Sequence, residues 1–525
     1  MQWNTGSRAA GARPPSRISF RAAFALLCAL WSATSLHAQD VDGANGPWPE
    51  ASAERCAAAS GDAVPVLARA WRAAGIDRVL RSHSLAHRAV SDIVQQNYQS
   101  DRPYPPFFSY EVKRELWLDP ASGVERSSTQ MAGLMVPERP PITTLATEHA
   151  AFMVRDTIVQ PLPALYGSSV GSRPFDAWAV LHDWRAARDA KVVARCVYRD
   201  APRTVIERRG VYGAERLYID PESGLPVKLD REEPDYLWGQ VHVEYQYQTW
   251  VYGDGVLRPG AVFRLVDGAL ATERIERSFA LALTDSAPSL TVPEVEPMSV
   301  EIPAFLQPTP PDTARVSSHV VLLANRGYRE GVVKFGDTVY VLDATQGEER
   351  ARADSAWIAR IFPDHRAVAV VVTDLAWPHM AGVRFWVARG ATIISHANSR
   401  AMLERVIARR WTRAPDLLER TREREGRIPF RFLGVRDSLS LAGGALRLYA
   451  IDGIASEGAL MAWVPEDGVL WAGDYVQRVD QPSLYASEVV RAARRVRIAP
   501  RTVVAQHQEP VPWSEVEALD AGVPD

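Results

Sequence analysis

The stretch AVAVVVTDLAWPHMAGVRFWVARGATIISHANSRAMLERVIARRW, residues 367–411, decides the fold of the second half of the chain. Its first six residues, Ala367–Val372, form a short Val-rich run that predicts a buried strand. A polar loop, residues 373–382, follows this run. Apolar residues then recur at helical spacing from Met402 to Ile407, with Ser and Asn before them as N-cap candidates. A strand, a polar loop and a helix in this order often hold a site at the carboxyl end of the strand.

This stretch resembles the metal-binding segment of the metallo-β-lactamase superfamily. In that family the strand ends in Thr-His-x-His-x-Asp-His, and a Gly-rich turn and a helix follow. Thr373, Gly382 and the run Gly390-Ala391-Thr392 match the frame of this motif. The four ligand positions of the motif fall, in order, on Asp374, Ala376, Pro378 and His379. Only the last of them keeps the residue type of the family.

The remaining ligand positions of the family can be sought further along the chain. The third His of its first metal site falls on Ala455, which cannot bind a metal. The bridging Asp matches Asp474 after Leu-Trp-Ala-Gly, and the last His matches His507 at the end of a short apolar run. The resemblance therefore implies that the three-His site is lost. It also implies that a single residual site persists, formed by His379, Asp474 and His507.

Two functions remain open for this domain. Two His and one Asp plus a water can hold one Zn²⁺, which would activate the water against an unknown ester, amide or phosphoester, with Asp374 as a candidate base. The replacements at Ala376 and Ala455 favour instead a non-catalytic or strongly impaired member of the family, because function depends on the site rather than on the fold. We expect the second possibility and keep the single-zinc hydrolase as the alternative.

Residues 1–38 predict a signal peptide. The segment contains four Arg and no acidic residue, and its apolar core, residues 22–31, is too short to span a bilayer comfortably. An uncleaved membrane anchor is the alternative. Cleavage would leave a secreted or periplasmic chain without a transmembrane helix. In such an oxidising compartment Cys56 and Cys196 could pair, or they could be two separately buried thiols.

Charge and motifs exclude several classes of function. The formal net charge is −3, and it becomes −7 when the four Arg of the predicted signal peptide are removed. The chain contains no basic stripe that would indicate nucleic-acid binding, and no Gly-x-Ser-x-Gly, phosphate loop or Cys cluster. We therefore expect an unknown small molecule or an envelope protein as the partner.

The sequence divides into two domains joined by a linker. Residues 39–287 should form a helical segment, over residues 52–98, and then an antiparallel β-sheet, because residues 241–249 alternate apolar and polar side chains. A Pro-rich linker, residues 288–315, precedes an α/β domain, residues 316–525, for which the resemblance implies the αββα sandwich of the metallo-β-lactamase family.

Two features of the first domain leave alternatives open. His83 and His87 are four residues apart and could share one face of a helix as metal ligands, but a solvated face is the simpler interpretation. The rhythm of residues 216–283 is similar to the half-barrel of lipoprotein carriers, which can hold an acyl chain. The aromatic residues of these strands could equally form the core face of the sheet.

Overall fold

The computed structural model describes residues 55–520 except 96–108, 133–140, 156–157, 163–171, 211–212, 236, 284–287, 293–310, 326 and 413–414. The predicted signal peptide lies outside the described residues, as does most of the predicted linker. Residues 50–525 form one compact unit. Among the described helices, none combines the length and the apolar character needed to cross a bilayer.

In the part of the chain that the structure describes, the first sheet is antiparallel and contains 14 strands in the order β1-β8-β9-β10-β11-β12-β13-β14-β2-β3-β4-β5-β6-β7. Consecutive strands are neighbours over most of it, as the predicted meander requires. Their bounds are β1 Arg55–Asp62, β2 Ser84–Gln95, β3 Ser109–Leu118, β4 Glu125–Ala132, β5 Ile142–Ala146, β6 Ala151–Arg155, β7 Ile158–Leu162, β8 Lys191–Tyr198, β9 Ala201–Gly210, β10 Gly213–Ile219, β11 Pro226–Asp235, β12 Gly239–Gly253, β13 Val256–Val266 and β14 Ala269–Leu283.

The helical prediction for residues 52–98 is correct only in its middle. Helices α1 (Val64–Ala73) and α2 (Ile76–Arg81) are present, but β1 precedes them and β2 follows them. Strand β2 pairs along its length with β14 and β3, so tertiary pairing determines its conformation. His83 and His87 therefore do not share a helix face. His87 lies in β2 and stacks on Trp117, with the ring centroids 4.2 Å apart.

The aromatic residues of β12 belong to the core. Tyr245 and Tyr247 are buried, and their hydroxyls donate to Glu233 at 2.9 Å and to the carbonyl of Pro174 at 2.7 Å. Helix α3 (Ala177–Ala186) packs into the same core through buried Trp side chains. These strands thus match the core-face alternative rather than an open acyl groove.

Cys56 and Cys196 form a disulfide that joins β1 to β8. The two strands are adjacent and antiparallel, and the two cysteines are directly opposite each other in the register. Of the two alternatives for these thiols, the structure has the paired one.

The second half of the chain contains two more sheets. The second sheet has the strands β15 Asp312–Arg315, β16 Val320–Asn325, β17 Tyr328–Phe335, β18 Thr338–Leu342, β19 Ala367–Val372, β20 Thr392–His396 and β21 Arg431–Val435, and it is parallel from β18 onward. The third sheet has the strands β22 Ser438–Leu441, β23 Leu446–Ala450, β24 Leu460–Val464, β25 Val469–Trp471, β26 Thr502–Val504 and β27 Val511–Pro512. The strand predicted at residues 367–372 is confirmed as β19.

Among the described residues, seven α-helices accompany these sheets: α4 Glu348–Ile361, α5 Trp377–Met380, α6 Val383–Ala388, α7 Arg400–Ala408, α8 Leu417–Glu425, α9 Leu484–Arg495 and α10 Trp513–Leu519. Apolar side chains of the two sheets, including Val371 and Leu460, form one core between them. The opposite face of the second sheet packs on α4, α6 and α7, and that of the third sheet packs on α9 and α10. The layers therefore follow the order helix, sheet, sheet, helix.

Arg409, just after α7, connects this layered region to the first sheet. Its guanidinium donates to the carbonyls of Trp238 at 3.0 Å and Gln240 at 2.6 Å and lies 2.9 Å from Asp267. Apolar residues of both regions also belong to one continuous core.

Candidate metal centre

The predicted ligands follow three strands of the layered region. His379 lies in α5, in the loop after β19, whereas Asp474 and His507 follow the parallel neighbours β25 and β26. One ligand atom from each of these three residues lies within 4.8 Å of the other two. The structure thus brings together three side chains that are up to 128 positions apart in the sequence.

A close approach between the two sheets makes this convergence possible. Gly473 has φ +57°, and a Cβ there would lie 2.5 Å from the hydroxyl of Thr373. Glycine is required at this position because the backbone is left-handed and the neighbouring loop leaves no room for a side chain. The N–H of Gln506 donates to the carbonyl of Gly473 at 2.9 Å, which connects the segment of Asp474 to that of His507.

Two imidazole nitrogens face one carboxylate oxygen. The Oδ1 atom of Asp474 is 3.3 Å from Nε2 of His507 and 3.9 Å from Nε2 of His379. Gln477 donates to the other oxygen, Oδ2, at 2.9 Å, and this bond orients the carboxylate. The side chains are 2 % exposed for His379, 20 % for Asp474 and 30 % for His507. The cluster therefore opens to solvent on the side of His507.

Each imidazole is held from behind through its other nitrogen. Nδ1 of His379 lies 2.8 Å from Oδ1 of Asp374, and Nδ1 of His507 lies 2.9 Å from the carbonyl oxygen of Gly327. A carboxylate and a carbonyl only accept hydrogen bonds, so each Nδ1 carries the hydrogen. In the neutral imidazole this leaves a lone pair on Nε2, the atom that faces Asp474. Metal-binding histidines commonly have this arrangement.

The residues present therefore fit one zinc ion. Two imidazole nitrogens and one carboxylate oxygen are ligand types that zinc prefers, and three protein ligands leave a position for water. His379 is buried, which by itself would lower its pKa, but the carboxylates of Asp374 and Asp474 outweigh burial and raise the pKa to about 10. Without a metal, the chain thus keeps a second proton on this imidazole, and a zinc ion would have to displace that proton, because the ligand is the neutral imidazole.

Asp374 lies behind His379 rather than beside Nε2. It is 2 % exposed, and its Oδ1 atom also accepts the N–H of Ala376 at 2.9 Å. Its Oδ2 atom is buried, and no described residue forms a hydrogen bond with it. This geometry is that of a positioning residue, and the role of Asp374 as a base stays a prediction.

Two of the three positions of the lost three-His site carry no ligand atom. Ala455 is buried in the loop before β24, and Glu488 fixes this loop by accepting the N–H of Ala455 at 3.0 Å and the hydroxyl of Ser456 at 2.5 Å. Ala376, another position of this site, precedes α5. Neither alanine side chain offers a ligand atom, and the carboxylate at the remaining position, Asp374, lies 2.8 Å from Nδ1 of His379, so the three-ligand set of this site is not present.

Asp343, a residue that was not predicted from the sequence, connects the segments beside the site. This fully buried carboxylate accepts the N–H of Thr373 at 2.7 Å and the indole N–H of Trp471 at 2.9 Å. Burial and the nearby carboxylate of Asp374 raise its pKa to about 6. Its position directly after β18, at the same edge as Asp374, was the signal that could have identified it.

The turn before β17 also belongs to the site, although no sequence pattern predicted this. Gly327 supplies the carbonyl that holds His507, and the ring of Tyr328 lies edge-on to His507 with 4.7 Å between the centroids. The ring of Tyr328 also lies 6.4 Å from that of His379. No sequence pattern indicates a contact between segments 180 residues apart. His396 lies outside the site and caps the turn that follows β20, because its Nδ1 accepts the N–H of Asn398 at 3.3 Å.

Comparisons with known proteins gave matches among solved structures. No protein-family model and no curated protein matches this chain. DIM-1 metallo-beta-lactamase is 13 % identical over 41 % of this chain and 96 % of its own, with a TM-score of 0.33. A metallo-beta-lactamase from Erythrobacter litoralis is 18 % identical, and the match covers 40 % of this chain and 95 % of that protein, with a TM-score of 0.32. The metallo-beta-lactamase FIM-1 from Pseudomonas aeruginosa, in its mono-zinc form, is 13 % identical. The match covers 41 % of this chain and 95 % of that protein, with a TM-score of 0.32. These identities and TM-scores are too low to carry an argument about function, so the proposed function rests on the geometry of the site.

Proposed function

We propose that residues 316–525 form a metallo-β-lactamase-type domain that binds one zinc ion and hydrolyses an ester, amide or phosphoester. The ligands are His379, Asp474 and His507. The convergence of two Nε2 atoms on one carboxylate oxygen, with both Nδ1 atoms held by acceptors, carries this proposal. The helix, sheet, sheet, helix layers and the matched frame residues support the assignment of the fold.

The residues of the chain have distinct roles in this proposal. Zinc, when bound, supplies a Lewis acid and lowers the pKa of a water to about 7. Asp374 and the carbonyl of Gly327 orient the two imidazoles, and Gln477 orients Asp474. The substrate approaches from the side of His507, where the cluster is most exposed.

A second candidate function is a metal-free domain that binds a small molecule or an envelope protein. It is favoured by the buried ion pair of His379 with Asp374, because a protonated imidazole satisfies the nearby carboxylates without a metal. The replacements at Ala376 and Ala455 agree with this candidate.

Metal content distinguishes the two candidates. The full chain, grown with zinc and dialysed without chelator, would be analysed by inductively coupled plasma mass spectrometry beside a His379→Ala/His507→Ala double variant. The control is His319→Ala, since His319 contacts Asp467 on another turn. We expect about one zinc per native or control chain and none in the double variant. No zinc in the native chain would refute the hydrolase, and iron in its place would refute the zinc assignment, because two His and one carboxylate also suit Fe²⁺.

Export of the chain is part of the same proposal. It is supported by the Arg-rich start with its short apolar core and by the disulfide of Cys56 and Cys196, which suits an oxidising compartment. Fractionation of expressing cells, with immunodetection of a tag at the end of the chain, would find the protein outside the cytoplasm. Retention in the cytoplasm with free thiols would contradict it.

A further inference from the structure

A partly open cavity of about 470 Å³ lies against the first sheet and is separate from the candidate metal centre. The cavity lies between the β5–β6 turn, helix α3 and strands β9 to β11. Glu148 on the turn accepts from Arg208 in β9 at 2.7 Å, and this bond connects the two sides of the cavity. The volume lies within the range of roughly 300–1,000 Å³ that small-molecule sites have.

The lining combines charges of both signs with an apolar floor. Four Arg and four acidic residues line the cavity, so their formal charges cancel: Arg173, Arg208, Arg209, Arg231, Glu148, Asp183, Asp189 and Glu215. Pro174, Val180, Trp184 and Leu229 supply the apolar part. An acyl chain is a poor fit because it would strip water from charged groups without replacing their hydrogen bonds. An ion of one sign is a poor fit because the Arg and acidic side chains of the described lining residues cancel in formal charge.

The inner charges of the cavity are already arranged in pairs. Glu215 accepts from Nε of Arg208 at 2.9 Å and lies 3.7 Å from Arg231. Asp183 is paired with Arg173. These pairs make the walls rigid, because each charge holds its partner in one place.

Two groups on the wall have unused capacity. Arg173 is 6 % exposed, and its Nε atom forms no hydrogen bond with any described residue. Glu148 has one close partner, Arg208, and a longer contact of 3.6 Å to His149. Burial, the largest cause, raises the pKa of Glu148, so its carboxylate is incompletely compensated and would gain from a further cation.

We propose that this cavity binds a small zwitterionic molecule, an amino acid or a short peptide. Its ammonium group would pair with Glu148, and its carboxylate would pair with the guanidinium of Arg173. Small apolar side chains of the ligand would pack on Trp184 and the other apolar lining residues. Such a ligand satisfies both signs of charge at once, which neither a lipid nor a simple ion does. The proposal is independent of metal binding, because the cavity and the candidate metal centre share no residue.

Isothermal titration calorimetry of the full chain tests this proposal with the dipeptide Ala-Ala. Two further probes remove one charge each: N-acetyl-Ala-Ala lacks the ammonium group, and Ala-Ala amide lacks the carboxylate. We expect Ala-Ala to bind at least tenfold more tightly than either, since each of the other probes loses one charge-assisted hydrogen bond to the cavity wall. Equal affinity of all three probes, or no heat at millimolar concentrations, would overturn the proposal.

A variant assigns the ammonium group to its partner. Glu148→Gln keeps the size of the side chain and removes its charge, so the preference for Ala-Ala over N-acetyl-Ala-Ala should fall at least tenfold. Glu222→Gln, on the exposed β10–β11 turn, is the matched control and should keep the native preference. The ratio of two affinities in one variant is insensitive to a general loss of folded protein. An unchanged ratio in Glu148→Gln would refute the assigned orientation and, with it, the site.

Discussion

Reduction of the disulfide should destabilise the first sheet strongly. Cys56 and Cys196 are separated by 140 residues, so the bond closes a long loop in the unfolded chain. In the chain-entropy relation, a loop of this length loses roughly 17 cal/mol/K, or about 5 kcal/mol at 25 °C. With a urea dependence of about 3 kcal/mol/M, the unfolding midpoint should fall by about 1.7 M.

Urea unfolding, followed by far-ultraviolet circular dichroism with and without a phosphine reductant, measures this shift. A Cys56→Ser/Cys196→Ser double variant is the control, and the reductant should leave its midpoint unchanged. The zinc content should not respond to reduction, because the disulfide lies in the first sheet and the candidate metal centre in the layered region. Equal midpoints for the reduced and oxidised native chain would refute the loop-closure argument.

Three further changes test the layered region. In the metal-free chain, the pKa of His379 is raised from 6.5 to about 10. The protonated imidazole therefore stabilises the folded state fully below pH 6.5, and this contribution is lost as the pH rises through 10. The loss should approach about 5 kcal/mol, and urea midpoints at pH 6 and pH 10 would reveal it, with no such loss in His379→Ala. Gly453→Ala should lower the free energy of unfolding by about 1–3 kcal/mol, because its Cβ would lie 1.9 Å from the carboxyl carbon of Glu488. Thermal unfolding would detect this loss, and an unchanged transition temperature would contradict the tight packing of the loop. Gln477→Ala should weaken zinc binding about tenfold by releasing Asp474, as measured by competition with a chromophoric chelator, whereas equal affinity would argue against its orienting role.

The layered half of the chain was predictable because its buried strands are short apolar runs. Residues 367–372 illustrate this, since a parallel strand buried on both faces needs apolar side chains at every position. Strand β2 was not predictable in the same way. Its conformation depends on β14, whose paired residues lie about 190 positions later, and the local pattern before it is helical.

The candidate site was predictable in its residues but not in its geometry. Family spacing identified His379, Asp474 and His507 as ligand candidates. It could not indicate that the carbonyl of Gly327 holds one imidazole, or that Asp374 lies behind the other. Such contacts depend on how distant loops meet, and spacing along the chain carries no information about them.

Arg409 has a consequence for how the two halves of the chain can vary. Its guanidinium holds two backbone carbonyls of the first sheet, and backbone carbonyls are present whatever side chain the residue carries. The first sheet could therefore change its sequence at Trp238 and Gln240 without losing this attachment, whereas Arg409 itself could not change without releasing both. A gene fragment that encodes residues 316–525 alone would also uncover part of a core that the two halves share. We therefore expect the two halves to be inherited together. At this contact, sequence variation is expected in the first sheet, at Trp238 and Gln240, and not at Arg409.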